Sequence, residues 1–194
     1  MTAAADPITR FTELYEKAKA ADPAGYDALC FATVGDDGRP SARMLLLKSA
    51  GPAGFVVYTN LESRKGHEAL AHPWASLCFY WPKLYQQARI EGRLERVSDA
   101  EADAYFATRP RASQIGAWAS LQSAVLDERA TLLRRVTEYE RKFEGQPVPR
   151  PPHWSGLRVV PDRIEFWVGQ PDRLHERTRY QRDGGDWVAE TLYP

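Results

Sequence analysis

The sequence predicts a mainly β protein of the α+β class, an antiparallel β-barrel with peripheral helices, on three observations. Seven or eight short apolar runs at strand length are separated by Gly/Pro/Asp turns. These runs do not alternate regularly with helices, which argues against a doubly wound parallel sheet. Neither G-x-G-x-x-G nor a P-loop occurs. At 194 residues, 43% apolar and 11% aromatic with no internal repeat or low-complexity tract, the chain suits a single domain spanning 1–194. A chain of that length buries roughly 70% of its unfolded surface.

Each element follows from local chemistry. Residues 6–20 form an amphipathic helix with Asp6 as N-cap, Pro7 at N1 and Ile8, Phe11, Leu14, Tyr15 and Ala18 on one stripe, stopped by Pro23. Strands at 28–34, 42–48 and 55–59, joined by the turns GDDGRP and GPAG, read as a β-meander. A short helix over 63–71 precedes strands at 75–81 and 87–97, the second with Gly92 marking a bulge. Ser98 and Glu101 stand in capping-box spacing at the start of another helix. That helix, SDAEADAYFATR, is followed by a Pro-broken turn, and a longer helix covers about 127–143, with Leu132, Val136, Tyr139 and Phe143 on its apolar face and Gly145 as its stop. After the Pro-rich connector 145–154, strands near 157–168, 173–182 and 186–192 close the chain.

Charge and composition limit the function. Lys plus Arg and Asp plus Glu are 26 each, so no basic excess supports binding to nucleic acid or a membrane surface. No window approaches 18 apolar residues and no signal peptide is visible, which places the expected site of action in the cytoplasm. Cys30 and Cys78 are too few for a disulfide framework or a Cys-based zinc site and read as buried small hydrophobes. The four histidines show no metal-ligand spacing, so no metal is expected.

The segments that carry chemistry are rich in cations, hydroxyls and amides and poor in nucleophiles. Arg64 and Lys65 occupy the first helical turn after Ser63, where positive charge opposes the helix dipole by about 0.3 to 1 kcal/mol each. A phosphate docked there makes sense of them; a solvated turn is the equal alternative. Arg43 and Lys48 bracket an apolar run, and in a regular strand they point to opposite faces. Tyr105, Arg109, Arg111, Ser113, Gln122 and Ser123 make an unspecific phosphate-binding kit. In PDRLHERTRY, a strand puts Arg173, His175, Arg177 and Arg179 on one face, and such crowding calls for an anion among them. Sites of this composition suit a bound cofactor that does the chemistry.

In order along the chain, RMLLLK, GFVVYTNLESRKGHE, YFATRPRASQIGAWASLQS and IEFWVGQPDRLHER resemble the pyridoxamine 5'-phosphate oxidase family over almost the whole sequence. The resemblance implies a split β-barrel that binds FMN, works as a homodimer with FMN at the subunit interface, and uses about 157–194 as its C-terminal strands, dimerisation and substrate region. It implies FMN contacts from Arg43, Met44, Leu45, Leu46, Leu47, Lys48, Tyr58, Thr59, Arg64, Lys65, Gln87, Gln122, Ser123, Trp167 and Arg177. Lys48, Tyr105, Arg109 and Ser113 are implied to hold a substrate phosphate, with Arg173 and His175 orienting its pyridine ring. The implied reaction oxidises pyridoxamine or pyridoxine 5'-phosphate to pyridoxal 5'-phosphate, with hydride transfer to the flavin and dioxygen reduced to hydrogen peroxide. Related phenazine-biosynthesis oxidases share this fold, and a non-catalytic flavin- or pyridoxal phosphate-binding protein is a third reading. Two positions depart from the family pattern: Gln86 replaces an Arg, and Val168 replaces a polar residue or Gly.

Overall fold

The computed structural model describes residues 6–194. Among these, α1 (Pro7–Ala21), β1 (Ala28–Val34), β2 (Pro40–Leu46), β3 (Ser49–Gly51), β4 (Gly54–Asn60), α2 (Arg64–Ala71), β5 (Trp74–Trp81) and β6 (Gln86–Arg96) come first. Then follow α3 (Asp99–Thr108), α4 (Arg111–Ala119), α5 (Arg129–Lys142), β7 (Trp154–Val168), β8 (Glu176–Asp183) and β9 (Asp186–Leu192). The strands form one antiparallel sheet in the order β2-β1-β5-β6-β7-β4-β3, with β8 on β7 and β9 on β8. This is the curled sheet of a split barrel.

The long strand β7 makes that curl. Along one edge it pairs with β6, and the other edge is shared, with β4 on residues 154–159 and β8 on 163–168. Its register with β6 shifts between Glu91 and Gly92, as a bulge does. A Cβ on Gly92 would stand 2.1 Å from the Val160 carbonyl, so the close approach of the two backbones requires glycine. Alternate residues of β1 and β5 point inward and build the core with Phe31, Leu77, Phe79, Ile90, Ile164 and Phe166. Helix α1 closes the barrel by burying Phe11 edge-on against Phe55, centroids 4.8 Å apart. Asp6 caps α1 by accepting from Thr9 N–H at 3.0 Å.

Four expectations are corrected. The first three strand runs are not a meander: β2 pairs only with β1, and β4 pairs with β3 and β7. The chain changes sheet edge at Leu47 and Lys48, whose N–H groups donate to Asp27 and Val56 carbonyls. Residues 111–119 are the helix α4, because Pro110 starts a helix as readily as it ends one, and Gln114 ties α4 to the end of α3 through the Phe106 carbonyl. Strand β8 begins at Glu176, because Asp172 and Arg173 take left-handed φ values of 56° and 60° and turn the chain. Cys30 and Cys78 are half-buried rather than buried, and face each other unbonded across β1 and β5.

A second small core under α3, α4 and α5 joins Phe106, Ile115, Phe143, Val148 and Trp154. It supports one wall of the cleft described next.

Candidate active site

A cleft of about 470 Å³ opens between the end of β2, β4 and the α3–α4 corner, lined by Met44, Leu45, Leu46, Lys48, Tyr58, Tyr105, Arg109, Ser113 and Trp154 among others. It adjoins a second space of about 370 Å³ that shares Leu45, Tyr58, Arg109, Ser113 and Trp154 and adds Thr59 and Gln122. Tyr58, Tyr105 and Trp154 stack nearly parallel, with Tyr58 4.0 Å from Tyr105 and 5.1 Å from Trp154. Burial, with Glu101 and Tyr105 beside it, raises the Tyr58 hydroxyl above its ordinary pKa. Trp154, which the sequence placed in a Pro-rich connector, is the ring on which this wall rests.

Arg109 enters the cleft from the end of α3, its guanidinium 4.6 Å from the Trp154 ring centroid. Its Nη1 is buried without a hydrogen-bond partner, and among the described residues no carboxylate lies within ion-pair reach. Desolvation accordingly lowers its pKa. Lys48 lines the same cleft and pairs with Asp27 at 3.0 Å. Leu47 is a core side chain and lines neither space.

At the start of α2, Ser63 caps the helix by accepting from Gly66 N–H. Lys65 is buried and donates to Ser63 Oγ at 3.0 Å and Gln122 Oε1 at 2.8 Å, both neutral. Burial, then the neighbouring Arg43, lowers its ammonium pKa to about 8. Arg64 bonds Glu68 Oε1 at 2.8 Å; Glu68 Oε2 accepts from Thr33 at 2.6 Å, Ser41 at 2.5 Å and Arg43 at 3.3 Å. Burial alone would raise this carboxyl, but the four bonds outweigh it and hold its pKa at about 2. A cavity of about 870 Å³ lies beside the helix start, lined by Asn60, Arg64, His67, Gln122 and Ser123 and by the acids Asp36, Asp37, Glu62 and Glu68. Ser123 holds a left-handed φ of 74° there.

The remaining candidates gather elsewhere. Gln87 on β6 stands opposite Trp167 on β7, and Trp167 opposite Arg177 on β8. The His175 ring lies 4.6 Å from Trp167, and its Nδ1 accepts from Gln170 N–H at 3.1 Å. Arg173 and His175 sit in the reversal before β8, so the strand alternation expected for them does not apply. Nor is a bound anion needed for their neighbours: Arg177 bonds Glu165 at 2.8 Å and the Tyr193 carbonyl, while Arg179 pairs with Glu190. None of these residues lines the three cavities above.

Sequence reasoning missed Glu68 and Glu165, the acids that hold Arg43, Arg64 and Arg177. The i,i+4 spacing of Arg64 and Glu68 was a visible signal; Glu165 had none, because its partners come from neighbouring strands.

Comparison with known proteins accords with this geometry. The model of pyridoxamine 5'-phosphate oxidase matches residues 16–143, and that of the pyridoxine 5'-phosphate oxidase C-terminal dimerisation region matches 154–194. A pyridoxine/pyridoxamine 5'-phosphate oxidase of Myxococcus xanthus (strain DK1622) is 64% identical over 189 residues, 97% of this chain and 92% of that protein. The crystal structure of PhzG from Burkholderia lata 383, in complex with tetrahydrophenazine-1-carboxylic acid, superimposes with a TM-score of 0.92 at 34% identity, covering 100% of this chain and 95% of that one. A pyridoxamine 5'-phosphate oxidase-related, FMN binding protein from Nostoc punctiforme shares the fold, with a TM-score of 0.78 at 19% identity over 98% and 100% of the two chains. By sequence over nearly its full length and by fold, the chain belongs to the pyridoxamine 5'-phosphate oxidase family.

Proposed function

We propose that this chain is an FMN-dependent oxidase that converts pyridoxamine 5'-phosphate, pyridoxine 5'-phosphate or both to pyridoxal 5'-phosphate, with dioxygen reduced to hydrogen peroxide and, from the amine, ammonia released after hydrolysis. The observation that carries the reading is Arg109. A half-buried cation whose Nη1 is buried and unpartnered, beside Ser113, Tyr105 and Lys48, is a site built for an anion the chain does not itself supply.

The residues present fit the cofactor. Lys65 is a buried cation whose partners are all neutral, at a helix start with Arg64 beside it, which suits the FMN phosphate. Glu68 does not compete for Lys65, because Arg43, Arg64, Ser41 and Thr33 occupy its oxygens. Arg43 through Lys48, Tyr58, Thr59, Gln122 and Ser123 would frame one side of the flavin, and Gln87, Trp167 and Arg177 the other. When bound, FMN supplies the two-electron acceptor for the hydride leaving C4' and passes the electrons to dioxygen.

The chain's own residues then bind and orient. Lys48, Tyr105, Arg109 and Ser113 hold the substrate phosphate; Arg173 and His175 set the ring. Orientation of this kind is worth roughly 7 to 11 kcal/mol in a well-aligned transfer. The two groups of candidates share none of the described cavities, which favours a homodimer in which each FMN takes contacts from both chains. The match of 154–194 to a dimerisation region supports it. The reading takes the chain as one split-barrel domain.

A second reading keeps the flavin and changes the substrate, since PhzG superimposes so closely and its ligand is also an anion. Turnover decides between them. Purified protein loaded with FMN should form pyridoxal 5'-phosphate and peroxide from pyridoxamine 5'-phosphate. Flavin bands without substrate-dependent bleaching under anaerobic conditions would leave a binding protein only.

A further inference from the structure

Tyr85 belongs to none of the groups above, yet it touches the segment that carries two of them. It ends the turn Pro82–Tyr85, donating its N–H to the Pro82 carbonyl at 3.1 Å, and holds a left-handed φ of 53°. Non-glycine residues rarely adopt this conformation, and it persists where surrounding contacts fix it. The Tyr85 carbonyl accepts from Gly169 N–H at 2.9 Å, one step beyond the Gln86–Val168 pair that ends the β6–β7 ladder.

The ring lies flat against Gly169: a Cβ there would stand 1.9 Å from Tyr85 Cδ1. It meets Trp167 edge-on at 5.3 Å and 81°, and His175 at 6.4 Å and 80°. Trp167 and His175 are themselves 4.6 Å apart, so the three rings form a closed aromatic frame. The tyrosine hydroxyl makes no hydrogen bond among the described residues, so the ring and the backbone make the contacts.

His175 is therefore held on two sides. Its Nδ1 accepts from Gln170 N–H at 3.1 Å, which puts the ring proton of the neutral imidazole on Nε2. Gln170 directly follows Gly169, the residue bonded to Tyr85. A shift of Tyr85 would move Gly169, then the Gln170 N–H, then the tautomer and direction of His175.

We infer that Tyr85 is a positioning residue: through Gly169 and the Trp167–His175 frame it sets His175 to present Nε2–H to the pyridine ring of the substrate. This rests on the reading that His175 serves the substrate. Of the four non-glycine residues with positive φ among the described residues, Tyr85, Asp172 and Arg173 lie in or beside this frame, and the fourth, Ser123, is at the proposed flavin phosphate site. Strain concentrated at these places accords with a built site rather than a surface turn.

The test compares Tyr85→Phe, Tyr85→Ala and Gly169→Ala in FMN-loaded protein, with His175→Asn used to identify the His175 signal. Two-dimensional ¹⁵N–¹H spectra of the histidine rings should show His175 as the Nε2–H tautomer in the unchanged protein and in Tyr85→Phe. Tyr85→Ala and Gly169→Ala should give a mixed or averaged signal. With pyridoxamine 5'-phosphate, Tyr85→Phe should keep kcat within about twofold, whereas Tyr85→Ala and Gly169→Ala should lose about 10- to 100-fold in kcat, as a misplaced orienting group does. Should Tyr85→Ala fail to fold, Gly169→Ala and Tyr85→Leu carry the comparison. Wild-type tautomer and kcat in the alanine variants would overturn the inference, as would Tyr85→Phe losing as much as Tyr85→Ala. If the unchanged protein does not turn over this substrate, the proposed function fails, while the tautomer comparison still decides the role of Tyr85.

Discussion

The Arg109 guanidinium stands 4.6 Å from the centre of the Trp154 ring, with Nη1 buried and unpartnered. A desolvated cation–π contact contributes about 2 kcal/mol. Leaving a buried donor unsatisfied costs about 1 to 3 kcal/mol, more for a charged group. The ring therefore offsets the burial of Arg109 at best in part, and the residue is poised for an anion at the expense of stability.

Arg109→Met should separate those two effects. Loss of charge-assisted bonds worth about 1.5 to 3 kcal/mol predicts a fall in kcat/KM of about 10- to 150-fold for a phosphorylated substrate, mostly as raised KM. The melting temperature of the ligand-free protein should be unchanged or higher, because the variant removes a half-buried cation whose Nη1 has no partner. Steady-state kinetics and calorimetry on the same preparations check both.

Lys65 gives a pH prediction for flavin binding. Its pKa is depressed to about 8 in the folded protein, so it stays charged below that value and loses its proton above it. The unfolded chain keeps that proton up to the ordinary lysine value of 10.5, so this group favours unfolding at neutral pH and its penalty is relieved as pH rises from 8 to 10.5. If the FMN phosphate needs the charged form, the dissociation constant should rise about fivefold from pH 8 to pH 9. Lys65→Arg should flatten that rise. Fluorescence titration with FMN measures it.

Glu68→Gln should reveal the opposite sign. The Glu68 carboxyl is held at about 2 against its ordinary value of 4.5, so its stabilisation is fully present above 4.5 and lost as pH falls through 2. Arg43 is one-fifth exposed and loses its acid in this variant, which should lower stability at neutral pH by about 3 kcal/mol. Arg64 is largely exposed and its share is small. Urea melts at pH 7 and pH 3 should show the gap between wild type and variant narrowing in acid.

How much was legible follows from range along the chain. Helix α1 was readable because Asp6, Pro7 and the Phe11 stripe are local signals, and Tyr105, Arg109 and Ser113 converge because α3 and α4 are consecutive. The pairing of β4 with β7 was not readable, since Tyr58 meets Gly156 almost a hundred residues later. Alternation was misapplied to Arg173 and His175 because neither Asp172 nor Arg173 is a glycine that announces its positive φ. The two departures from the family pattern, Gln86 and Val168, prove to be partners across β6 and β7, which no reading of either position alone suggests.

Glu165 supplies the last prediction. It is 4% exposed and bonds Arg89 Nη2 at 2.7 Å and Arg177 Nε at 2.8 Å, an acid bridging two cations from neighbouring strands. The bond to Glu165 raises the Arg177 pKa, and with the Tyr193 carbonyl it fixes the direction of the guanidinium. Glu165→Gln leaves Arg177 without its anion and Arg89 with Glu91 alone, and should cost about 3 kcal/mol. Arg177→Met alone leaves Arg89 to neutralise Glu165 and should cost less. Because the residues share one network, the double variant Glu165→Gln/Arg177→Met should be more stable than the sum of the single losses by about 0.5 to 3 kcal/mol. If Arg177 also contacts the flavin, both single variants should retain less FMN after dialysis, Glu165→Gln through misdirection of a guanidinium that is still present. Chemical denaturation of the four members of this cycle, with flavin content measured on each, separates the structural role of the pair from its service to the cofactor.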